Sequence, residues 1–381
     1  MGMKQILLMI AVVALVGCGE KASAPESKSP STSPAQEANN NQSKTDPTPK
    51  PEKENAEPPK TQPKEEVKKP LTEEESAKII EAAIREAAKK PTGELTKADL
   101  EKVTVLELYQ NQLTDVKGLE KLPQLTALSL GSNKLTDVRG LEKLNQLTHL
   151  ILSGNQLTSV KGLENLTQLN TLNLKYNELT SFKGLENLSQ LEVLFLTSNK
   201  LTSVEGLENL TKLTWLDLRD NSLTELKGLK NLKDLEKLEL RMNQLTSVKG
   251  LENLKKLTWL DLDTNQLTEV PKALEKLTKL EQLDLGNNKL TEVPTGLERL
   301  GELWSLALSD NKLTSLEGLE NLRQLTELAL NNNQLTDVKG LENLTQLTNL
   351  YLYKNPDLTK TQIDELKKAL PKCKIVSDFT K

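Results

Sequence analysis

Aromatic, basic and acidic side chains recur at short, regular intervals in the middle of the chain. They are Val193 and Phe195, then Trp215, Asp217 and Arg219, then Lys237, Glu239 and Arg241, then Trp259, Asp261 and Asp263, and finally Asp284. Aromatic rings beside guanidiniums and carboxylates are the composition of binding hot spots. The same carboxylates could in principle form a glycosidase pair, but the spacing singles out no two of them. Asp261-Leu262-Asp263-Thr264-Asn265 begins like a calcium loop and lacks its central glycine and distal glutamate. One histidine, His149, and two cysteines, Cys18 and Cys373, are too few for a His/Cys metal cage, a disulfide framework or His-based acid–base chemistry. No G-x-S-x-G, Walker or zincin motif occurs. With 50 basic and 54 acidic residues intermixed, there is no electrostatic reason to expect nucleic acid. These residues point to binding rather than catalysis: no enzyme, no cofactor and no metal are expected.

The interval itself is set by a 22-residue unit written twelve times between residues 103 and 355. Copies start at Val103, Leu125, Leu147, Leu169, Leu191, Leu213, Leu235, Leu257, Leu280, Leu303, Leu325 and Leu347. The eighth and ninth are 23 residues long and the twelfth is cut short. Each fits, with small departures, L-x-x-L-x-L-x-x-N-x-L-T-x-V-x-G-L-x-x-L. A fixed period with this consensus resembles the leucine-rich repeat signature. The fold class that follows is an α/β solenoid, a curved horseshoe with a parallel concave sheet and a short 3-10 or irregular convex side. An N-terminal helical cap over 71–102 and a C-terminal cap over 356–381 should close its ends. One repeat buries too little to offset its own ordering entropy, so neighbours must share the core.

Alternation within L-x-L predicts a strand whose leucines face inward. Position 9 is asparagine in all twelve copies, from Asn111 to Asn355. An amide offers two donors and an acceptor, enough to bridge the backbones of adjacent turns where the chain leaves the strand. Ten copies carry a glycine in the second half, as Gly118 and Gly140 do, which fits a tight convex turn.

Strand parity then turns positions 3, 5 and 7 outward, onto the concave face. The twelve residues named first all fall there, as do Tyr109, Tyr351 and Tyr353, so six of the chain's ten aromatics are expected to face solvent. Trp215 and Trp259 should stand roughly 10 Å apart, at ~4.8 Å per strand. The plainer alternative is that large residues merely tile the sheet and pair as surface charges. The protein would then be a structural or scaffolding envelope component without a dedicated ligand.

Residues 1–18 pair Lys4 with an apolar run, Ile6–Val16, too short to span a bilayer comfortably. The run ends in Leu15-Val16-Gly17-Cys18, which resembles the lipobox of bacterial lipoproteins. That resemblance implies a signal peptide, a lipidated Cys18, membrane anchoring in the cell envelope and, with Gly19 following, the outer membrane. Residues 19–70 hold ten of the sixteen prolines and almost no large apolar residue, as a disordered tether would. Thr72 and Glu75 then form a capping-box pattern ahead of a helix over 71–90 with one stripe of Ile79, Ile80, Ala83 and Ile84. That stripe caps the first repeat or, alternatively, docks on a partner. At the far end, 359–370 read as a helix and 373–376 as a last strand, with Cys373 packed as a small hydrophobe.

The repeat LT-[DS]-V-K-GLE-x-L resembles the 22-residue class of internalins and related bacterial surface proteins. What the resemblance implies is binding of a protein on the concave face, through Phe195, Trp215, Asp217, Arg219, Arg241, Trp259 and Asp261; a monomer is expected. Val270-Pro271 and Val293-Pro294 resemble the 23-residue repeat type and should alter local curvature.

Overall fold

A run of leucines at every second residue can put all of them on one side only if the chain is extended. The computed structural model describes residues 69–379 apart from Pro271, and there each copy contributes one three-residue strand. These are β1 (Val105–Glu107), β2 (Ala127–Ser129), β3 (His149–Ile151), β4 (Thr171–Asn173), β5 (Val193–Phe195) and β6 (Trp215–Asp217). They continue as β7 (Lys237–Glu239), β8 (Trp259–Asp261), β9 (Gln282–Asp284), β10 (Ser305–Ala307), β11 (Glu327–Ala329) and β12 (Asn349–Tyr351). A thirteenth strand, β13 (Lys374–Val376), comes from the segment after the repeats. All lie in chain order in one parallel sheet, with leucine registered on leucine, as in Leu216↔Leu238 and Leu260↔Leu283. The extra residue of the eighth repeat falls on the convex side, so the register of Trp259 on Gln282 is undisturbed.

Behind the sheet the leucines stack into one continuous core, from Leu106 to Leu370, nearly every one fully buried. Each such side chain contributes about 1.5–3 kcal/mol. The asparagines do what their chemistry allows. Asn221 donates from Nδ2 to the carbonyls of Leu196 (3.0 Å) and Leu218 (3.1 Å), and its Oδ1 accepts from the Leu201 N–H (3.0 Å). The pattern repeats from Asn133 to Asn355. Asn111 has no preceding repeat, and its Nδ2 turns to the Tyr109 carbonyl instead.

Just before each asparagine, position 8 takes a left-handed backbone in all twelve copies, from Gln110 (φ 58°) to Lys354 (φ 56°). Only Gly154 meets that demand without a side chain; Tyr176, Met242 and Thr264 adopt it despite theirs. The asparagine ladder fixes the chain so tightly on the far side of this residue that its own preference is overruled.

On the convex side the Gly-Leu-Glu triplet closes a small loop, the glutamate folding back so that Gly140 N–H donates to Glu142 Oε2 at 2.6 Å. The sixth repeat reads Gly228-Leu229-Lys230 instead. There Gly228 lies in a 3-10 turn, Lys227–Leu229, and a Cβ on it would fall 2.0 Å from the Val204 carbonyl oxygen. Close approach, not a left-handed φ, requires glycine at that one turn. The eighth repeat has a five-residue 3-10 helix, Lys272–Lys276, where the other 3-10 turns have three residues.

Three helices close the ends: α1 (Glu73–Ala87), α2 (Lys97–Leu100) and α3 (Lys360–Ala369). Thr72 and Glu75 form the reciprocal capping box of α1. Ile80 and Ile84 enter the core, Ile79 and Ala83 pack at its edge, and Ser76 Oγ lies 3.2 Å from Thr114 Oγ1 of the first repeat. The apolar stripe of α1 is thus spent on the solenoid. α3 buries Ile363 and Leu366, and β13 extends the sheet. Cys373 is partly buried against the core, and burial pushes its thiol up to about 11, away from nucleophilic chemistry. Among the described residues no helix is long and apolar enough to cross a membrane. The expected signal peptide, Cys18 and nearly all of the expected tether lie outside the described residues.

Candidate partner-binding face

Positions 3, 5 and 7 lie on the sheet face opposite the leucines, and register aligns them into rows running across the strands. Trp215, Lys237 and Trp259 are successive members of the position-3 row. Phe195, Asp217, Glu239, Asp261 and Asp284 are successive members of the position-5 row. Four adjacent parallel strands therefore carry four carboxylates side by side, one strand spacing apart, ~4.8 Å. Cations from the flanking rows decide what becomes of each.

The first two carboxylates are fully paired. Lys175 reaches from just beyond β4 across β5 to Asp217 on β6, an Nζ–Oδ2 distance of 2.9 Å, and its ammonium passes 4.5 Å from the centre of the Phe195 ring. Arg219 binds Asp217 in a fork, Nε to Oδ1 at 3.0 Å and Nη2 to Oδ2 at 2.9 Å, and its Nε also lies 2.8 Å from Glu239 Oε2. Glu239 takes two further donors on Oε1, Lys237 Nζ at 3.0 Å and the Trp215 indole N–H at 3.1 Å. Burial alone would raise Asp217, but the Arg219 and Lys175 contacts outweigh it and hold the carboxyl below its ordinary value. The same carboxylates raise Arg219 against its own burial, so the guanidinium stays charged.

Aromatic rings lock this half together. Phe195 and Trp215 meet edge to face, centroids 4.8 Å apart at 86°. Lys237 Nζ sits 4.2 Å from the Trp215 ring centre and 4.8 Å from that of Trp259, a cation shared by two indoles.

Asp261 and Asp284, next along the row, have no ion pair among the described residues. Asp261 accepts the Asp263 N–H (2.9 Å) and Asp284 the Gly286 N–H (2.8 Å). Of the cations that feel these acids, Arg241 is bound to Asp263 at 3.0 Å and Arg219 to Asp217 and Glu239. Burial first, then the charge of Asp284, pushes Asp261 up to about 7, with the Asp263 N–H and Arg241 pulling the other way. Burial and then Asp263 push Asp284 up to about 6.

Of the twelve residues expected on this face, all lie on it, but not all face solvent. Phe195 is 1% exposed, Asp217 0% and Glu239 4%. The expectation of a solvent-facing Phe195 is corrected: it stands on the concave side, outside the leucine core, and is covered by Trp215 and Lys175. Asp217 and Glu239 are covered by the cations that neutralise them. Parity fixes which face a side chain is on; neighbours decide whether water reaches it. Trp215, Arg219, Lys237, Trp259, Asp261, Asp263, Asp284 and Val193 stay half-buried and Arg241 exposed, so the accessible patch runs over β6 to β9. Tyr109 is exposed, and Tyr351 and Tyr353 are half-buried on β12 and just beyond it. Sequence reasoning missed Lys175, which is 5% exposed and ion-paired to Asp217. Its signal was a basic residue at an outward position two strands from an acid. His149 is half-buried with Nδ1 2.9 Å from Thr148 Oγ1, and burial lowers its pKa. Among the described residues, no group of three or more His, Cys, Asp or Glu is arranged to hold a metal.

A sheet of twelve leucine-led turns with an asparagine ladder and helical caps defines a class, and comparison with known families agrees. Residues 234–378 match a leucine-rich repeat region, and 101–143, 145–187, 167–209 and 211–253 match paired leucine-rich repeats. The chain is a leucine-rich repeat protein. Among solved structures it is similar to an internalin, inlF, of Listeria monocytogenes: 28% identity over 80% of this chain and 95% of that one, TM-score 0.67. It is also similar to the functional domain of InlJ from Listeria monocytogenes, at 26% identity over 79% of this chain and 70% of that one, TM-score 0.69. A third similarity is to a chain of an octameric complex of latrophilin 3, Unc5D and the leucine-rich repeats of FLRT2, at 26% identity over 72% and 89%, TM-score 0.59. No curated protein matches the chain.

Proposed function

We propose that this chain is a lipid-anchored cell-envelope protein, monomeric, that binds a protein partner through its concave face. The observation that carries the reading is the pair of half-exposed tryptophans, Trp215 and Trp259, held rigid by Lys237 between them. Rigid aromatic anchors lose little entropy on binding, and an apolar ring left partly in water gains by being covered. Leucine-rich repeats of the FLRT2 complex belong to a multi-protein assembly, which supports a protein as the class of ligand. The burial of Phe195, Asp217 and Glu239 narrows the contact residues to Trp215, Arg219, Lys237, Arg241, Trp259 and the acids of β8–β9. The self-paired network favours a second reading, a scaffold with no dedicated ligand, whose concave charges serve only stability.

Affinity capture on the wild-type chain and on the Trp215→Ala/Trp259→Ala variant, with matched melting curves, separates the two readings. Loss of a discrete partner from the folded variant is expected; an unchanged partner set would favour the scaffold. The anchor is tested separately. Cys18→Ala should move the protein from the membrane fraction to the soluble fraction, and protease treatment of intact cells reads which way the domain faces.

A further inference from the structure

We propose that the sheet face over β8–β10 receives a basic side chain, lysine or arginine, carried by an extended segment of the protein partner. This rests on the concave-face reading above and names the chemistry of the partner.

Three observations converge. The first is charge. Asp217 and Glu239 each have two or more donors from the chain itself, whereas Asp261 and Asp284 have no ion-pairing cation among the described residues. Arg241 is bound to Asp263, and Arg219 to Asp217 and Glu239. The second is convergence of like charge. At Gly286, a Cβ would lie 2.9 Å from Asp263 Oδ1 and 3.0 Å from Asp284 Oδ1, with Ser309 Oγ at 3.5 Å. Carboxylate oxygens of Asp263 and Asp284, from two neighbouring repeats, therefore converge over Gly286 and fill the place a side chain would take. Ser305, Ala307 and Ala329 continue a low floor beyond it, bordered by the taller Trp259. The third is the pattern of the adjacent strands. Lys237 lies over Trp215 and Trp259 while pairing with Glu239. Two strands further, Trp259 and Asp284 present the same ring and carboxylate, but the register partner of Trp259 is the uncharged Gln282.

A basic group from outside would complete there what Lys237 completes within the chain. The half-buried carboxylates, held towards neutrality when alone, would then ionise against it. A flexible ammonium or guanidinium satisfies one or two carboxylate oxygens at a time. A hard cation needs six or more oxygens.

Isothermal titration of the full chain with hexalysine and hexaglutamine peptides, with spermine and with calcium alone, tests this. Hexalysine should bind and hexaglutamine should not. Asp261→Asn/Asp284→Asn should weaken hexalysine about tenfold or more. Gln282→Lys, which supplies an internal cation, should weaken it likewise, while Asp337→Asn, an equal charge change at an exposed position on the loop side, should leave it within about twofold. Circular dichroism checks that each variant is folded. Absence of hexalysine binding, hexalysine affinity unchanged in the double variant, or spermine or calcium binding equally well with the same dependence would each overturn the proposal. If Trp259→Ala loses the peptide while Asp261→Asn/Asp284→Asn keeps it, the concave-face reading stands and this inference falls. Indifference to all three substitutions removes both.

Discussion

Strands β6–β7 and strands β8–β9 carry the same residue type in the same row and reach opposite electrostatic states. On the first pair, Asp217 and Glu239 are buried beneath Lys175, Arg219 and Lys237, and Asp217 is held below its ordinary value. On the second, Asp261 and Asp284 are pushed towards neutrality by burial and by neighbouring carboxylates, with no ion-paired cation among the described residues to offset it. Burial does not decide protonation; the supply of countercharge does. In a solenoid that supply comes from flanking rows one or two strands away, so a single substitution in one repeat sets the chemistry of its neighbours.

The sharpest way to break the contrast is to strip the paired half. Lys175→Ala leaves Asp217 buried with only Arg219 and uncovers Phe195, and should destabilise the chain by about 2–4 kcal/mol in urea unfolding. A loss under about 1 kcal/mol would mean that Arg219 alone suffices. Beneath both halves the asparagine ladder is uniform. Asn221→Ala and Asn265→Ala should therefore cost the same, about 1–3 kcal/mol each, through buried backbone groups left unpaired. A marked inequality would mean that the face, not the ladder, sets local stability.

The two halves should also respond to pH with opposite sign. Asp217, lowered in the folded state, contributes stability that is present above its unfolded value near 3.8 and lost as pH falls through the folded value. Asp261 and Asp284, raised to about 7 and about 6, behave in reverse: their contribution is present below about 4 and lost as pH rises towards 7. Asp261→Asn/Asp284→Asn should therefore flatten the slope of stability between pH 4 and 7 and stabilise the chain at pH 7 by about 1–2 kcal/mol. An unaltered slope in denaturant melts across that range would refute the assignment. The smallest effect belongs to the residue at the junction. Lys237→Met removes the ammonium shared by the indoles and should cost about 0.5–1 kcal/mol, with a change in tryptophan emission.

Much of this is legible in the sequence. Leucine spacing fixes strand, sheet and inward face, and the asparagines announce the ladder, because both depend on local geometry repeated twelve times. Thr72 and Glu75 mark the start of α1 to within a residue or two, since a capping box is a short-range event. Phe195 was misjudged as solvent-facing because its cover comes from Lys175, 20 residues earlier, and from Trp215, 20 residues later. Lys175 itself went unnoticed because its partner Asp217 lies two strands away, beyond the reach of any pattern within one repeat. The left-handed turn at Met242 and Tyr176 was equally invisible, since neither residue prefers it.

The sequence by itself determined the periodicity, the parallel sheet, the inward leucines and the row to which each outward residue belongs. These follow from the pitch of an extended chain and from a repeat that cannot bury its apolar face alone. Only the tertiary structure decided which outward residues are covered, which carboxylates find a cation, and where the backbone must turn left-handed. Those outcomes depend on side-chain reach between neighbouring turns, a distance in space that the letters of a single repeat do not contain.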